Sequence, residues 1–314
     1  MKKYIVLTAL FLTTAFSWVL AQVSEEEKAM SQGVNNAIVV NIPNTTTKIA
    51  EKVWKDYARQ FSGKTKRNRK SEEWTTTGGK ISGIGTDGLT VYAQIQSNND
   101  DVELAMWVPM SEGYLSSTEY GEEYKEAEKL LNDYALEVKI ETVKQELGGE
   151  EKTLGKLEKD LKKLKRDNEG YHKDIKNAEQ DIDESEKGLI TNKEDQKVAV
   201  ENVRKAEDIF AVEQDSLEVL LSNATEKWDK KAIKKTMRSE EKKVKDAKAV
   251  QKKAEREEKK LRKTIENAKR TIKESNEKIV TNEKEQEMKV KEIDDQKEVI
   301  KEVESRLKRL YDYK

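Results

Sequence analysis

Cysteine is absent from the 314-residue chain, histidine occurs once and proline twice. Without cysteine the protein can form no disulfide and no thiolate metal site, and it carries no lipidated N-terminal cysteine. The single histidine, His172, leaves little on which nucleophilic, acid–base or zinc chemistry could rest. We therefore expect a protein that is not an enzyme, with no catalytic residues, no metal site and no cofactor.

Apolar residues are also scarce. Hydrophobic residues make up 35% of the chain and charged residues 39%, a composition that suits long helices better than one large globule. The 61 basic and 62 acidic residues nearly balance. Because nucleic-acid binding needs net basic charge to displace counterions, this balance argues against a nucleic-acid partner.

Residues 1–21 have the features of a bacterial signal peptide. Lys2 and Lys3 precede an apolar run over 4–19, and Val19-Leu20-Ala21 offers suitable residues for cleavage after Ala21. An uncleaved anchor is the alternative interpretation. Cleavage would release the protein to the periplasm or the cell exterior, not as a lipoprotein. We expect no transmembrane segment in the mature chain, since no second apolar stretch is long enough to span a bilayer.

The first part of the mature chain predicts a small α+β domain. Residues 22–36 are polar, and we expect them to be disordered. Residues 37–117 predict an antiparallel sheet of four or five strands plus one helix that begins at the threonines 45–47. Alternating apolar residues over 89–96 and 102–108 predict an antiparallel β-hairpin. Residues 118–150 predict a linking helix that Gly148-Gly149 interrupts.

Residues 151–314 predict a long α-helical coiled coil in two arms, at about 154–220 and 244–310. Fifteen of twenty a and d positions between Leu154 and Leu220 are apolar, which is typical of a coiled-coil seam. The apolar-poor stretch 222–243 favours a bend near 222–230 and an antiparallel helical hairpin, with arms on the order of 100 Å. One uninterrupted helix is the alternative.

The two arms contain an internal repeat. Residues 175–196 and 265–286 are identical at nine of 22 positions, which indicates a duplication. Five polar residues occupy a or d positions, where such residues penalise wrong registers: Asn168, Asn192, Gln196, Asn282 and Gln286. The alternative is a soft, imperfect coiled coil.

A cluster of five basic residues occurs within seven positions of the predicted α+β domain. The cluster consists of Lys64, Lys66, Arg67, Arg69 and Lys70. One interpretation is a patch for an anionic partner such as a phospholipid, lipopolysaccharide or cell-wall surface. The other is an edge strand that charge keeps soluble. The GxGxxG pattern at 83–88 precedes a predicted strand, so it indicates a turn between strands and not a dinucleotide site.

These features predict an exported structural or interaction protein. A coiled-coil spacer or scaffold would carry a small α+β binding domain, and the coiled coil would self-associate or bind an envelope protein. Two alternatives remain open, namely a periplasmic holdase-type chaperone and a ligand-binding regulatory module of an envelope complex.

Overall fold

The computed structural model describes residues 23–99 and 101–314, so the predicted signal peptide lies outside the described residues. The chain divides into two units. The sheet unit comprises the described residues up to Gly155 together with Asp295–Lys314, and the hairpin unit comprises Lys156–Asp294. The predicted fold class is confirmed, since an α+β region is followed by two long helices.

The sheet is antiparallel and has six strands, in the order β1-β2-β6-β5-β4-β3. The strands are β1 (Val23–Met30), β2 (Gly33–Ile42), β3 (Lys64–Arg67), β4 (Glu73–Ile81), β5 (Gly85–Asn98) and β6 (Asp101–Trp107). Strands β1 and β3 form the two edges of the sheet. The predicted β5–β6 hairpin is confirmed.

The prediction of disorder over 22–36 was wrong for the described residues, and the predicted strand number was too low. Strands β1 and β2 pair along their length, and Met30 opposite Gly33 leaves a two-residue loop. The sequence of β1, VSEEEKAM, shows no apolar alternation, because an edge strand that is exposed to water can carry charge. Its loop, Ser31-Gln32, also lacks the Asn-Gly or Asp-Gly signal of common hairpin turns.

Helix α1 (Thr47–Tyr57) begins where the threonine run predicted a cap. Thr46 is the N-cap, and its side chain accepts a hydrogen bond from the backbone nitrogen of Ile49. A short 3-10 helix, Ala58–Phe61, follows. Together these elements bring the apolar face of α1 onto the sheet, where Trp54 is buried.

The first turns of helix α2 (Gly121–Asn223) complete the same core. The rings of Trp54 and Tyr134 meet edge to face at a centroid distance of 5.3 Å, a favourable aromatic geometry. The Tyr134 hydroxyl donates a 2.9 Å hydrogen bond to the backbone oxygen of Ala50, so the buried hydroxyl is satisfied. Burial raises the pKa of Tyr134 well above its usual value.

The helices are longer than the sequence predicted. Helix α2 is continuous through Gly148 and Gly149, so the predicted interruption there was wrong. Glycine weakens a helix by about 1 kcal/mol relative to alanine, a penalty that a long helix with packing on either side can absorb. Helix α3 (Lys227–Tyr313) begins well before position 244, where the second arm was expected.

A bend at residues 224–226 separates α2 from α3, within the range that the sequence predicted. In the hairpin unit Lys248 pairs with Glu207 at 2.7 Å, and in the sheet unit Gln296 donates to Glu150 at 2.6 Å. A second contact in each unit gives the direction of the helices: Asn192 contacts Ala254 in the hairpin unit, and Glu146 contacts Arg306 in the sheet unit. Within each unit the residue numbers of the partners on α3 fall as the residue numbers on α2 rise, so the two helices run antiparallel. No helix among the described residues is long and apolar enough to cross a membrane.

Candidate functional site

Buried polar side chains lie between the helices of the hairpin unit, at positions where the sequence predicts register-setting residues. Asn192 is 7% exposed, and its Nδ2 donates a 3.1 Å hydrogen bond to the backbone oxygen of Ala254 on α3. One turn further on, Gln196 Nε2 donates to Asn192 Oδ1 and to Glu258 Oε2, each at 2.8 Å. This polar layer therefore connects both helices through an amide pair.

The acceptor of this layer is held in its ionised form. The hydrogen bond from Gln196 is the largest cause that lowers the pKa of the Glu258 carboxyl, and the hydrogen bond from Arg262 lowers it further. Since the carboxylate is the form that accepts both hydrogen bonds, the layer is complete near neutral pH.

The second copy of the repeat builds the same local arrangement. Gln286 Nε2 donates to Asn282 Oδ1 at 2.6 Å, and Asn282 is buried. Asn168, the remaining predicted register residue, is half-buried, and its Nδ2 has no hydrogen-bond partner. A buried amide without a partner is destabilising, whereas Asn192 and Gln196 hydrogen-bond to α3 and are therefore better placed to favour one register.

The 90-residue repeat and the antiparallel pairing generate an approximate two-fold relation within the hairpin unit. A Cβ added to Gly188 on α2 would lie 3.2 Å from Leu261 on α3. The equivalents of these residues in the other copies are Lys278 and Tyr171, and the Lys278 ammonium lies 5.6 Å from the Tyr171 ring centroid. The same contact between helices is therefore made twice by different residues.

The duplicated identities are concentrated where the helices meet. Six of the nine identical pairs are buried or half-buried in both copies. In the first copy these residues are Ile175, Ala178, Ile182, Ser185, Asn192 and Gln196. The repeat has thus retained most of its contact face, while most of its exposed residues differ between the two copies.

Three exposed positions depart from this trend, because both copies carry an apolar residue there. The pairs are Ile190 with Val280, Val198 with Met288, and Val200 with Val290. All six side chains are at least 44% exposed. They give an otherwise charged helical surface a repeated apolar component.

The predicted basic cluster lies at one edge of the sheet. Lys64, Lys66 and Arg67 belong to β3, whereas Arg69 and Lys70 lie in the turn that follows, and all five are exposed. Arg67 is engaged, since it forms an ion pair with Glu51 and its guanidinium lies 5.8 Å from the centroid of the Trp74 ring. Strand β3 forms one edge of the sheet, as the interpretation of these residues as an edge strand kept soluble by charge requires.

The sheet face opposite α1 carries a second, smaller apolar cluster around Trp107. Trp107 is buried, and its Nε1 donates a 3.2 Å hydrogen bond to the backbone oxygen of Asn35. Beside it lies an open groove of about 640 Å³. The groove is lined by Ile84, Leu89, Tyr92, Met110 and Tyr114, with Gln32 and Ser111 as polar neighbours.

A buried carboxyl group on β4 holds the β1–β2 loop against the sheet. Glu73 is 3% exposed and accepts hydrogen bonds from the backbone nitrogen of Ser31 at 3.1 Å and from its hydroxyl at 2.7 Å. Burial raises the pKa of Tyr114, and electrostatic interactions with Tyr92 and then with Glu73 raise it further. A tyrosine hydroxyl is protonated at neutral pH in any case and can donate a hydrogen bond, and Tyr114 lines the groove.

Sequence reasoning missed Glu73 and Tyr114. Glu73 opens a strand, EWTTTGGKI, whose composition gives no indication of which residues are buried. The neighbouring groove depends on residues from separate loops, and no local spacing predicts such an arrangement.

The other features that were considered for chemistry have structural explanations. The glycine-rich segment at 83–88 spans the end of the turn after β4 and the first residues of β5, so it leads into a strand and not a helix, and Gly83 and Gly88 have positive φ. His172 is exposed on α2. No group of three or more metal-ligating side chains occurs within residues 23–99 and 101–314.

No family model matches the chain, and no curated protein matches it. The class that can be stated is therefore architectural: a six-stranded α+β region with two long antiparallel helices.

Proposed function

We propose that this chain is an exported, non-enzymatic structural protein whose coiled-coil hairpin acts as a spacer or scaffold. The observation that carries the proposal is the polar layer of Asn192, Gln196 and Glu258, which hydrogen-bonds across the two helices. A shifted register would leave these buried groups unpaired, which penalises it. A fixed register sets a fixed length, and that is the property a spacer requires.

The dimensions and surface of the hairpin unit support this role. Residues 156–223 of α2, as a helix, extend over roughly 100 Å at 1.5 Å per residue. Most charged side chains along both helices are exposed, and pairs such as Lys187–Asp183 stabilise a helix locally. Such a surface suits a solvated rod in the periplasm or outside the cell.

The α+β domain would supply the binding function. Its groove combines an apolar lining with the Tyr114 hydroxyl, a combination suited to a peptide or another small segment of an envelope partner. The basic cluster of β3 adds a second surface that could meet an anionic envelope component.

Matched deletions test the spacer role. Removing residues 199–205 together with 245–251 takes one heptad from each arm and keeps the Asn192–Ala254 layer. We expect the mature chain, residues 22–314, to remain helical while its maximum dimension in small-angle X-ray scattering falls by roughly 10 Å.

Deleting 199–205 alone is the control, because it shifts one arm against the other. We expect this variant to melt at a distinctly lower temperature than the matched deletion. An unfolded matched variant, or an unchanged maximum dimension, would contradict a spacer.

A holdase-type chaperone is the second candidate, and the repeated exposed apolar positions favour it. Client binding needs accessible apolar surface, which Ile190, Val198, Val280 and Met288 provide. This candidate predicts that the protein suppresses aggregation of an unfolding test protein and that replacing these four residues with serine abolishes the effect. Equal suppression by the variant would argue against it.

A further inference from the structure

The near-neutral charge of the whole chain conceals a strongly basic segment. Residues 227–263, the first part of α3, contain 17 Lys and Arg against 7 Asp and Glu. This gives the segment a formal charge of +10 within a chain of formal charge −1. All 17 basic side chains are exposed.

Few of these basic residues are neutralised within the protein. Five form ion pairs, for example Lys248 with Glu207 at 2.7 Å and Lys243 with Glu240 at 2.7 Å. The other twelve form no salt bridge within the described residues, and we call them the basic stripe: Lys227, Lys230, Lys231, Lys234, Lys235, Arg238, Lys242, Lys252, Lys253, Arg256, Lys259 and Lys263.

The basic stripe occupies one side of α3. At about 100° per residue, the twelve positions fall within an arc of roughly 140°. The half-buried residues that face α2, among them Val244, Ala254 and Leu261, lie on the other side. Only one acidic residue, Glu241, falls within the arc, and it pairs with Lys245. The stripe therefore extends over about 55 Å of α3 in two parts, which a gap of about 15 Å between Lys242 and Lys252 separates.

Large apolar side chains are exposed at the end of the stripe next to the bend. Trp228 is 70% exposed, Val219 61% and Leu220 55%. Five lysines of the stripe lie within seven residues of Trp228 in the sequence. Tryptophan and aliphatic residues beside lysines are the combination that binds the interface of an anionic bilayer, where the ring enters the headgroup layer and the ammonium groups meet phosphate.

We propose that the bend and the basic stripe bind the surface of an anionic phospholipid bilayer. A nucleic acid would also meet the basic stripe, but nucleic-acid surfaces place aromatic rings along the strand to stack on bases. Here the exposed Trp228 lies at the bend together with Val219 and Leu220, an arrangement that favours shallow insertion into lipid. This inference rests on the proposed spacer function, because it would attach the hairpin spacer to a membrane. The integrity of the hairpin can be measured separately from membrane binding.

Vesicle co-sedimentation of the mature chain tests the proposal. We expect the protein to pellet with vesicles that contain about 30% phosphatidylglycerol and not with phosphatidylcholine vesicles. Binding should weaken on raising the salt from about 0.05 M to about 0.5 M, because surface charge is then screened. Brominated lipid should quench fluorescence of the wild type more than that of Trp228→Phe.

Two charge variants distinguish vesicle binding by the basic stripe from a general attraction between exposed lysines and anionic lipid. In the stripe variant Lys230, Lys231, Lys234 and Lys235 become Gln, and we expect vesicle binding to fall at least about tenfold. In the matched control Lys159, Lys162, Lys163 and Lys165, which are exposed on α2, become Gln, and binding should change less than about twofold.

Equal losses in the two variants, or equal binding to both vesicle types, would overturn the proposal. So would duplex DNA or RNA that binds more tightly than vesicles and depends on the same four lysines. Circular dichroism and cysteine cross-linking of α2 to α3 report on the hairpin independently. A protein with an intact hairpin that fails to bind vesicles refutes the membrane proposal alone.

Discussion

The sheet unit and the hairpin unit bury different kinds of side chain. The sheet unit encloses large residues such as Trp54, Leu104 and Tyr134, which are almost fully buried. The residues buried in the hairpin unit are mostly small or polar, among them Ala178, Ser185, Asn192, Ala268 and Asn282. Large apolar burial gives stability, whereas small and polar layers give close approach and a defined register.

Truncation of a large core residue should show most clearly that the sheet unit depends on the burial of large apolar side chains. We expect Trp54→Ala to lower the free energy of unfolding of the sheet unit by about 3–5 kcal/mol, because it leaves a cavity in the aromatic core. Chemical denaturation followed by near-ultraviolet circular dichroism measures this loss. Trp228→Ala, the same change at an exposed site, should cost less than about 0.5 kcal/mol. Similar losses at both sites would contradict the comparison.

Alkaline pH should destabilise the sheet unit through its buried tyrosines. Burial raises the pKa of Tyr57 from 10.0 to about 12, and its hydroxyl donates to the backbone oxygen of Leu130 at 2.9 Å. Since the folded-state pKa lies above the unfolded value, this contribution to stability is complete below pH 10 and is lost as pH rises towards 12. At about 1.36 kcal/mol for each pKa unit, the loss amounts to about 2.7 kcal/mol.

The substitution Tyr57→Phe isolates this contribution. It removes the titrating group, so denaturation curves of the variant at several values of pH should show a shallower decline above pH 10. Parallel declines for the variant and the wild type would show that Tyr57 is not the source.

In the hairpin unit, removal of a polar layer should affect register more than stability. We expect Asn192→Ala to cost about 1 kcal/mol, the typical value of one hydrogen bond. Asn192→Leu should raise the melting temperature but permit alternative pairings, because an apolar residue tolerates many registers. Cysteine cross-linking at shifted positions detects such pairings. The control is Thr191→Leu at the neighbouring exposed position, which should leave the register unchanged.

The smallest effect on stability is expected at the edge strand. Lys64→Thr with Lys66→Thr should change the free energy of unfolding by less than about 0.5 kcal/mol. Removing these charges should nevertheless increase self-association, because it uncovers an unpaired strand edge. Analytical ultracentrifugation measures the association, with Arg69→Thr and Lys70→Thr in the adjacent turn as the control. A variant that stays monomeric would favour the anionic-partner interpretation.

Elements with strong local periodicity could be predicted from the sequence. The capped helix α1, the β5–β6 hairpin and the bend near 224 each follow from residues within one short segment. Strand β1 could not be predicted, because its pairing with β2 compensates for a charged sequence. The continuity of α2 through Gly148 and Gly149 could not be predicted either, because the flanking Glu146 and Glu150 contact residues of α3 that are distant in the sequence.

The candidate surfaces were predicted only in part. Asn192 and Gln196 were identified because a heptad marks them, and their hydrogen-bond partners on α3 required the structure. The heptad fails near the bend, where Leu220 is exposed and Leu221 is half-buried. The basic stripe could not be predicted from the net charge, because acidic residues elsewhere in the chain balance its positive charge. Which side of α3 is exposed to solvent also depends on the pairing of α3 with α2.

Cysteine cross-linking in the cysteine-free chain is the most direct test of the fixed antiparallel register. We expect Gly188→Cys with Leu261→Cys to form a disulfide or short cross-link rapidly within a monomer, because these positions are in contact. Gly188→Cys with Ala254→Cys, one heptad out of register, should react slowly. Rapid reaction of the shifted pair, or cross-links that form only between two chains, would contradict the account.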